Sequence, residues 1–354
     1  MAGIQLRARS EQLADYLREE LRGGRWCGWM PGVLKLEKEL GVNRNTIEPA
    51  LRILEKEGVL VAQGAGKRRW IELKEQEVKK VLRAGMLMME PLDWGKGFMI
   101  DLMHRLQDAG HHAFFAEKAM SELGMDLGRI RRMIKLQPAD AWIVVAGPRD
   151  VLEWFEGSEY PTFAIFGRRS GLRIAGAGPD KVPPTIEAVR RLVDLGHRRI
   201  ILLNRKLRRI PAPGRVERAF LDALESHGIA HGPYNMPDWE ETAGGFHCCL
   251  EKLFRHTPPT AIIADEVHCF LGAMQFCERR GLRVPEDVSL ICTDADPGFC
   301  FFDPPVSHIH WEAAPIVRRV LRWAGDVAKG KDALRQSQTP ARFIEGGTIG
   351  PREY

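Results

Sequence analysis

The sequence predicts an α/β protein made of a small N-terminal unit, with three helices and a hairpin, and a larger unit of two lobes with parallel sheets. From about residue 81 onward, short apolar strands alternate with helix-like segments. Strands that are buried on both faces and alternate with helices are typical of a parallel sheet covered by helices. About 270 residues are long for one such sheet, and this length favours two α/β lobes.

The N-terminal unit combines helical periodicity with clear start and stop signals. Its predicted elements are helices over 10–23 (capped by Ser10), 33–40 (after Pro31) and 44–57 (capped by Asn43), and strands over 59–63 and 68–73. This order, within about 65 residues, is the layout of a winged helix-turn-helix. Pro49 lies inside the third helix, where it removes the bond to the Asn45 carbonyl, and it predicts a kink there.

The larger unit follows after a polar linker. We place the winged helix-turn-helix unit at 1–73, the linker at 74–80 and the two-lobed unit at 81–354. Predicted strands lie at 86–89, 141–145, 162–166, 199–203, 260–264 and 288–292. Predicted helices lie at 97–110, 126–136, 182–195, 214–227, 244–255, 267–281 and 312–328. His111 and His112 are predicted to be an exposed pair at a helix end.

The overall composition indicates a cytosolic globular protein. Residues 1–80 hold 16 Lys and Arg against 12 Asp and Glu, a net +4 of the total +5, and positive charge collected in a small unit suits a phosphate-binding surface. No apolar run approaches the ~18 residues that span a bilayer, and the N-terminus lacks the apolar core of a signal peptide. The seven cysteines show no zinc spacing, so we expect reduced, mostly buried thiols and no metal.

Candidate DNA contacts cluster at the start of the third helix and at the hairpin tip. Arg can read guanine and Asn can read adenine through paired hydrogen bonds in the major groove, and glycines let a basic tip approach the DNA closely. The predicted DNA-binding residues are Lys35, Asn43, Arg44, Asn45, Thr46, Gly64, Gly66, Lys67, Arg68 and Arg69. The same tip fails the spacing of a phosphate-binding P-loop, because Val61 and Arg68 stand where Gly and Ser or Thr are required.

Residues 10–73 resemble the GntR-type winged helix. The segments that carry the resemblance are Met30-Pro31, 36–47, Ala50-Leu51, 54–60 and 64–66. The resemblance implies a dimer that binds double-stranded operator DNA. Leu34 and Glu48 stand where that family has arginines, and Pro49 follows, so the contacts at these positions differ from the family pattern.

Residues of about 81–349 resemble the LacI/GalR effector domain, which is similar to periplasmic sugar-binding proteins. The segments that carry the resemblance are 195–200, 220–224, 259–264, 281–290, Asp294 and 304–307, of which 284–289 (Val-Pro-Glu-Asp-Val-Ser) is the sharpest. The resemblance implies two lobes, a small-molecule effector such as a sugar in the cleft between them, and no cofactor. Val267 stands where the family has an acid, with Asp265 and Glu266 just before it.

Candidate effector-binding residues follow from their positions in the loops after strands, where such pockets lie. They are Trp94, Arg168, Arg215, Trp239 and Asp294. Asp294 matches a ligand-facing Asp of the family, and Arg215 lies one position from the family's ligand-binding Arg. Aromatic faces suit sugar C–H surfaces, and charged groups suit hydroxyls.

Three functions are compatible with these features. The first is a ligand-responsive, homodimeric DNA-binding regulator that is not an enzyme. The second is a winged helix fused to a catalytic α/β domain, but the sequence contains no GxSxG, HExxH or Walker A motif. The third is a ligand-binding module that does not contact DNA.

Overall fold

The structure, a computed structural model, describes residues 9–22, 25–26, 28–64, 67–72 and 81–352. The predicted linker 74–80 and Gly66 lie outside these residues. Among the described residues, no helix combines the length and apolar character needed to cross a bilayer.

The N-terminal unit has the predicted order of three helices and a hairpin. It consists of α1 (Arg9–Arg22), α2 (Val33–Leu40), α3 (Arg44–Lys56) and the antiparallel strands β1 (Leu60–Val61) and β2 (Trp70–Ile71). Leu17, Leu36 and Leu51, one from each helix, are fully buried in a common core. The helix α3 continues through Pro49 to Lys56, so the proline does not end it.

The first lobe of the larger unit is a six-stranded parallel sheet in the order β12-β7-β6-β5-β3-β4. Its strands are β3 (Arg83–Leu87), β4 (His112–Phe115), β5 (Ala141–Val145), β6 (Thr162–Ile165), β7 (Ala175–Pro179) and β12 (Gln336–Thr339), and its helices are α4 (Gly97–Asp108), α5 (Leu127–Leu136), α6 (Arg149–Glu156) and α11 (Ala314–Ala328). Apolar residues of α4 and α11 pack on one face of the sheet, and those of α5 and α6 pack on the other. Because successive strand residues point to opposite faces, Met86 lies in the first core and Leu87 in the second.

The second lobe is a five-stranded sheet in the order β13-β11-β10-β9-β8. Its strands are β8 (Ile200–Leu203), β9 (Ala261–Ala264), β10 (Ser289–Cys292), β11 (Ser307–Trp311) and the antiparallel β13 (Ala341–Ile344), and its helices are α7 (Val182–Asp194), α8 (Arg215–Ser226), α9 (Ala243–His256) and α10 (Val267–Arg279). Helices α9 and α10 cover one face, and α7 and α8 cover the other. The prediction of two α/β lobes with parallel sheets is confirmed.

The chain crosses between the lobes three times. The crossings connect β7 to α7, β11 to α11 and β12 to β13, at residues 179–182, 311–314 and 339–341. The first and third crossings contact each other, since the Asp180 backbone N–H donates to the Thr339 carbonyl at 2.8 Å. The three crossings together form a hinge beside the cleft.

Several elements differ from the sequence-based expectation. The first strand of the larger unit is Arg83–Leu87, three residues earlier than predicted, because it pairs with β4 and β5 from Arg83 onward. His112 begins strand β4 rather than ending a helix, and His111 Nδ1 accepts a hydrogen bond from the Leu82 N–H at 3.3 Å. Strand β7 was not predicted, because its sequence, Ala-Gly-Ala-Gly-Pro, carries no large apolar residue. Small residues are required there, since a Cβ on Gly176 would lie 2.5 Å from the Arg169 side chain.

Candidate functional site

The first candidate site is the N-terminal end of α3. As predicted, Asn43 caps this helix, and its Oδ1 accepts from the Thr46 backbone N–H and hydroxyl, both at 3.1 Å. The Arg44 backbone N–H donates to Glu37 Oε1 at 2.6 Å and so joins α3 to α2. The Arg44 and Asn45 side chains remain exposed, Arg44 by 68%, with its guanidinium 3.2 Å from Glu48 Oε1. The helix end is therefore fixed in position while its first side chains are available to a partner.

The other predicted DNA contacts lie around this helix end. Lys35 is exposed at the start of α2 and lies 3.7 Å from Glu39, beside Leu34, whose exposure is 76%. Gly64, with φ of +109°, turns the hairpin, and Lys67 and Arg68 are exposed at its tip.

Arg69 occupies a different environment from its two basic neighbours. It is half-buried, and its guanidinium bonds to Glu55 near the end of α3. Its backbone carbonyl accepts from the Met30 N–H at 2.9 Å. Arg69 therefore anchors the base of the hairpin, and Lys67 and Arg68 are the exposed cations of the tip.

The second candidate site is the cleft between the lobes, at the carboxyl ends of the parallel strands. Charged side chains follow β8, β9 and β10 in the second lobe, and they are Arg205, Arg208, Asp265, Glu266 and Asp294. From the first lobe, Glu90 and Trp94 follow β3 and Arg168 follows β6. Aromatic rings of Phe98, Phe166 and the hinge residue Trp311 lie within 5.3–6.0 Å of one another. This combination of apolar rings with converging polar groups is typical of a small-molecule site.

Asp294 connects the end of β10 to the hinge. Its Oδ1 accepts a hydrogen bond from Trp311 Nε1 at 2.6 Å and lies 3.7 Å from Lys181 Nζ. Trp311 and Lys181 belong to two different crossings between the lobes. Asp294 therefore lies in the predicted place at the cleft, but its carboxylate is already engaged by hinge residues.

Arg168 reaches from the first lobe to the second. Its guanidinium donates to the carbonyls of Arg208 and of Ala212, the latter at 2.7 Å. The Arg168 carbonyl accepts from Arg149 at 3.5 Å, and Arg149 also donates to the Ser170 carbonyl at 2.5 Å. Burial lowers the pKa of Arg168, and the positive charges of Arg208 and Arg149 lower it further.

Arg205 is the most densely paired cation of the cleft and was not predicted as a site residue. Its side chain is 12% exposed. It bonds to Glu266 through two nitrogens at 2.9 and 3.2 Å, to Glu241 at 3.3 Å and, across the cleft, to Glu90 at 2.6 Å. Although burial opposes its charge, these carboxylates raise the pKa of Arg205.

Asp265 and Arg208 form a second ion pair in the cleft wall. Arg208 Nε lies 3.1 Å from Asp265 Oδ2, and the Thr293 hydroxyl donates to Asp265 Oδ1 at 3.0 Å. Burial alone would raise the pKa of Asp265, but Arg208 and Lys181 outweigh it and lower the pKa. Val267, which stands where an acid was expected, packs on the lobe core instead. Asp265 and Glu266, which directly precede Val267, were not predicted as site residues, but they are the sequence feature that indicates this part of the cleft.

Trp94, Arg215 and Trp239 are not gathered into one cluster with Asp294. Trp94 packs against Phe115, with ring centroids 6.4 Å apart. Arg215 is the first residue of α8, lies 3.8 Å from Asp180 and lines a groove of about 420 Å³ between α7 and α8. Trp239 Nε1 donates to the Asn204 carbonyl at 3.0 Å, and the residue lines a different pocket, of about 470 Å³, along α9.

The cysteines behave largely as expected from the sequence. Cys27 lies outside the described residues, and the other six are free thiols, of which Cys249, Cys269, Cys277 and Cys292 are buried. Burial raises the pKa of Cys269 and Cys292 to about 12. Within the described ranges, no group of three or more His, Cys, Asp or Glu side chains is placed to hold a metal ion.

Comparison with known proteins shows a similarity over the C-terminal part of the chain. Residues 189–349 match the periplasmic binding protein-like domain. The curated relatives include the HTH-type transcriptional repressor PurR of Pasteurella multocida, 33% identical over 135 residues, and PurR of Salmonella newport, 34% identical over 129 residues. These matches cover 38% and 35% of this chain, and the chain spans about 40% and 36% of the two relatives' lengths.

Solved structures share the fold over a larger part of the chain. The transcriptional regulator CelR in complex with cellobiose has a TM-score of 0.61 at 17% identity, covering 87% of this chain and 91% of that one. The regulator CcpA of Lactococcus lactis has a TM-score of 0.65 at 11% identity, covering 76% of this chain and 99% of that one. The larger unit therefore has the two-lobed fold of LacI-family regulators.

Proposed function

We propose that the protein is a bacterial transcription regulator that binds operator DNA through its N-terminal unit and senses a small molecule in the interlobe cleft. The observation that carries this proposal is a capped helix end with an exposed Arg44 in a chain that also forms a two-lobed cleft. A helix placed in this way enters the major groove in helix-turn-helix proteins. Relatives named as transcriptional repressors support a regulator rather than an enzyme.

We further propose the finer assignments made from the sequence. The DNA-binding domain spans 1–73, the linker 74–80 and the effector domain 81–354. A GntR-type winged helix is supported by the hairpin that follows α3, with Lys67 and Arg68 exposed at its tip. The effector is a sugar or related metabolite, a proposal supported by the cluster of Phe98, Phe166 and Trp311 beside Asp294 and by the similar fold of CelR, whose structure contains cellobiose.

The proposal is tested by selecting DNA fragments bound by the full chain and measuring the affinity over a range of salt concentrations. We expect a protected site with two half-sites, and an affinity that falls steeply with salt because Lys and Arg release counterions from phosphates. The absence of DNA binding, or binding that salt does not weaken, would favour a ligand-binding module without DNA contact.

A homodimer is the proposed functional unit. Leu271 on α10 and Phe301 are exposed by 42% and 89%, and they follow Phe270 and Phe299, whose buried rings contact each other at 5.5 Å. Large exposed apolar side chains next to a buried pair fit an interface that a second copy covers. Two copies would present two copies of α3 to the two half-sites.

We expect Asp294→Ala to abolish the effector response while leaving the DNA affinity of the ligand-free protein unchanged. The substitution removes the acceptor for Trp311 Nε1 and the partner of Lys181, so effector binding loses its connection to two of the three crossings. Operator affinity is measured with and without the effector found by a thermal-shift screen. The control is Asp326→Ala, which removes the partner of Lys331 near the C-terminal end of α11 and touches neither Trp311 nor Lys181. A normal response in Asp294→Ala would place the effector elsewhere.

A further inference from the structure

Two arginines cross the cleft in opposite directions. Arg205 belongs to the second lobe and bonds to Glu90 of the first at 2.6 Å. Arg168 belongs to the first lobe and bonds to two carbonyls of the second, those of Arg208 and Ala212. These bonds close the same cleft in which the proposed effector binds.

Each arginine is held firmly on its own side before it reaches across. Arg205 is fixed by the paired bonds to Glu266 and by Glu241, which also accepts from the Lys206 N–H at 3.2 Å. The bonds to Glu266 use Nε and Nη2, and Nη1 donates both to Glu241 and, across the cleft, to Glu90. On the opposite wall, the Glu90 N–H donates to Asp93 Oδ2 at 3.1 Å, which holds the residue at the start of its 3-10 turn.

The backbone that carries Arg168 is equally constrained. The Arg168 N–H donates to the Gly147 carbonyl at 3.0 Å, and a Cβ on Gly167 would lie 2.6 Å from that same oxygen. The loops after β5 and β6 are therefore in direct contact. Both arginines are anchored on their own lobe. Their bonds to the opposite lobe therefore restrain the position of one lobe relative to the other, and do not merely order a side chain.

We propose that Arg205–Glu90 and Arg168 with the Arg208 and Ala212 carbonyls form an interlobe latch that holds the cleft closed. An effector shifts a conformational equilibrium only through its unequal affinity for the two states. A latch of this kind sets the starting population of closed molecules, and with it the apparent affinity for the effector. The proposal that the latch controls lobe closure does not depend on the proposed regulator function. Only an effect of the latch on DNA binding rests on that function.

The latch is tested by measuring lobe separation in the full chain without effector or DNA. Spin labels are placed on the exposed Cys248 of α9 and on Glu117→Cys of the first lobe, with Cys27 and Cys300 replaced by Ser and the labelled protein diluted with unlabelled protein. We expect one short distance in this background. Adding Glu90→Gln, or separately Arg168→Gln, is expected to reduce the population at that distance and to add longer distances.

The matched control is Glu345→Gln, which removes a carboxylate from an ion pair with Arg191 that lies within the second lobe. We expect this variant to keep the short distance. Unchanged distances in both Glu90→Gln and Arg168→Gln, with the native thermal transition retained, would overturn the latch. Equal opening in Glu345→Gln and Glu90→Gln would also overturn it, because the bond across the cleft would then have no special effect. Failure of operator binding leaves this measurement unaffected, so the two proposals fail separately.

Discussion

Arg44→Ala is expected to weaken operator binding by about 1–3 kcal/mol and to relax the sequence preference at the base pair it reads. Arg44 is in the first turn of α3, exposed, and paired only loosely with Glu48, so its guanidinium can turn to a base edge at little cost. Its loss should leave folding intact, because the Asn43 cap and the Glu37 bond to the Arg44 backbone do not depend on its side chain. Binding to variant operators by electrophoretic shift measures both effects.

The control for Arg44 is Arg52→Ala, an exposed arginine two turns further along the same helix. Removing it takes away the same charge, so we expect at most a uniform loss of affinity across all sequences and no change in preference. An Arg44→Ala protein with the same affinity and footprint as the unchanged protein would contradict the assignment of α3 as the reading helix.

Asp265→Ala is expected to reduce the free energy of unfolding of the larger unit by about 2–3 kcal/mol. Breaking a fully buried ion pair costs about 3–5 kcal/mol, and the lower figure allows for Arg208, which is 35% exposed. The Asp265 side chain is 8% exposed, and its removal also leaves the Thr293 hydroxyl without that acceptor. Chemical denaturation at pH 7 measures the loss. Asp194→Ala, which breaks an exposed pair with Arg190 on α7, should cost about 0.5 kcal/mol or less.

The effect of Asp265 should depend on pH in a defined direction. Its pKa is lower in the folded protein than in the unfolded chain, so its contribution is complete above the ordinary aspartate value of about 4 and is lost as the pH falls through the folded value. The difference in stability between the unchanged protein and Asp265→Ala should therefore be constant from pH 7 down to about 5 and shrink below pH 4. A difference that grows on acidification would contradict this assignment.

The sequence predicted the elements whose burial pattern is strong and local. Strands β5 and β9 and helix α10 were located to within two residues because their apolar runs are bounded by turn residues. Strand β7 was missed because its burial comes from neighbours distant in the chain, with Arg169 filling the space above its glycines. Strand β13 was missed for a related reason, since its place depends on antiparallel pairing with β11.

The sequence predicted the positions of the candidate site residues better than it predicted their hydrogen-bond and ion-pair partners. Asp294 lies at the end of its strand as expected, but no local pattern indicates that Trp311, seventeen residues later, bonds to it. Arg205 was missed because its importance arises from three carboxylates that are 36 to 115 residues away in the chain, namely Glu241, Glu266 and Glu90. Ion pairs between residues that are distant in the chain produce no local sequence pattern from which they could be predicted.

The three crossings have a consequence for how the chain is synthesised. Neither lobe is a continuous stretch: the first lobe takes α11 and β12 from residues after 313, and the second takes β13 from residues 341–344. On the ribosome, the edge strand beside β7 is absent until Thr339 has emerged, and β11 lacks its outer neighbour until a few residues later. The sheet of the first lobe therefore lacks its edge strand until translation is almost finished, and its core stays partly exposed until then.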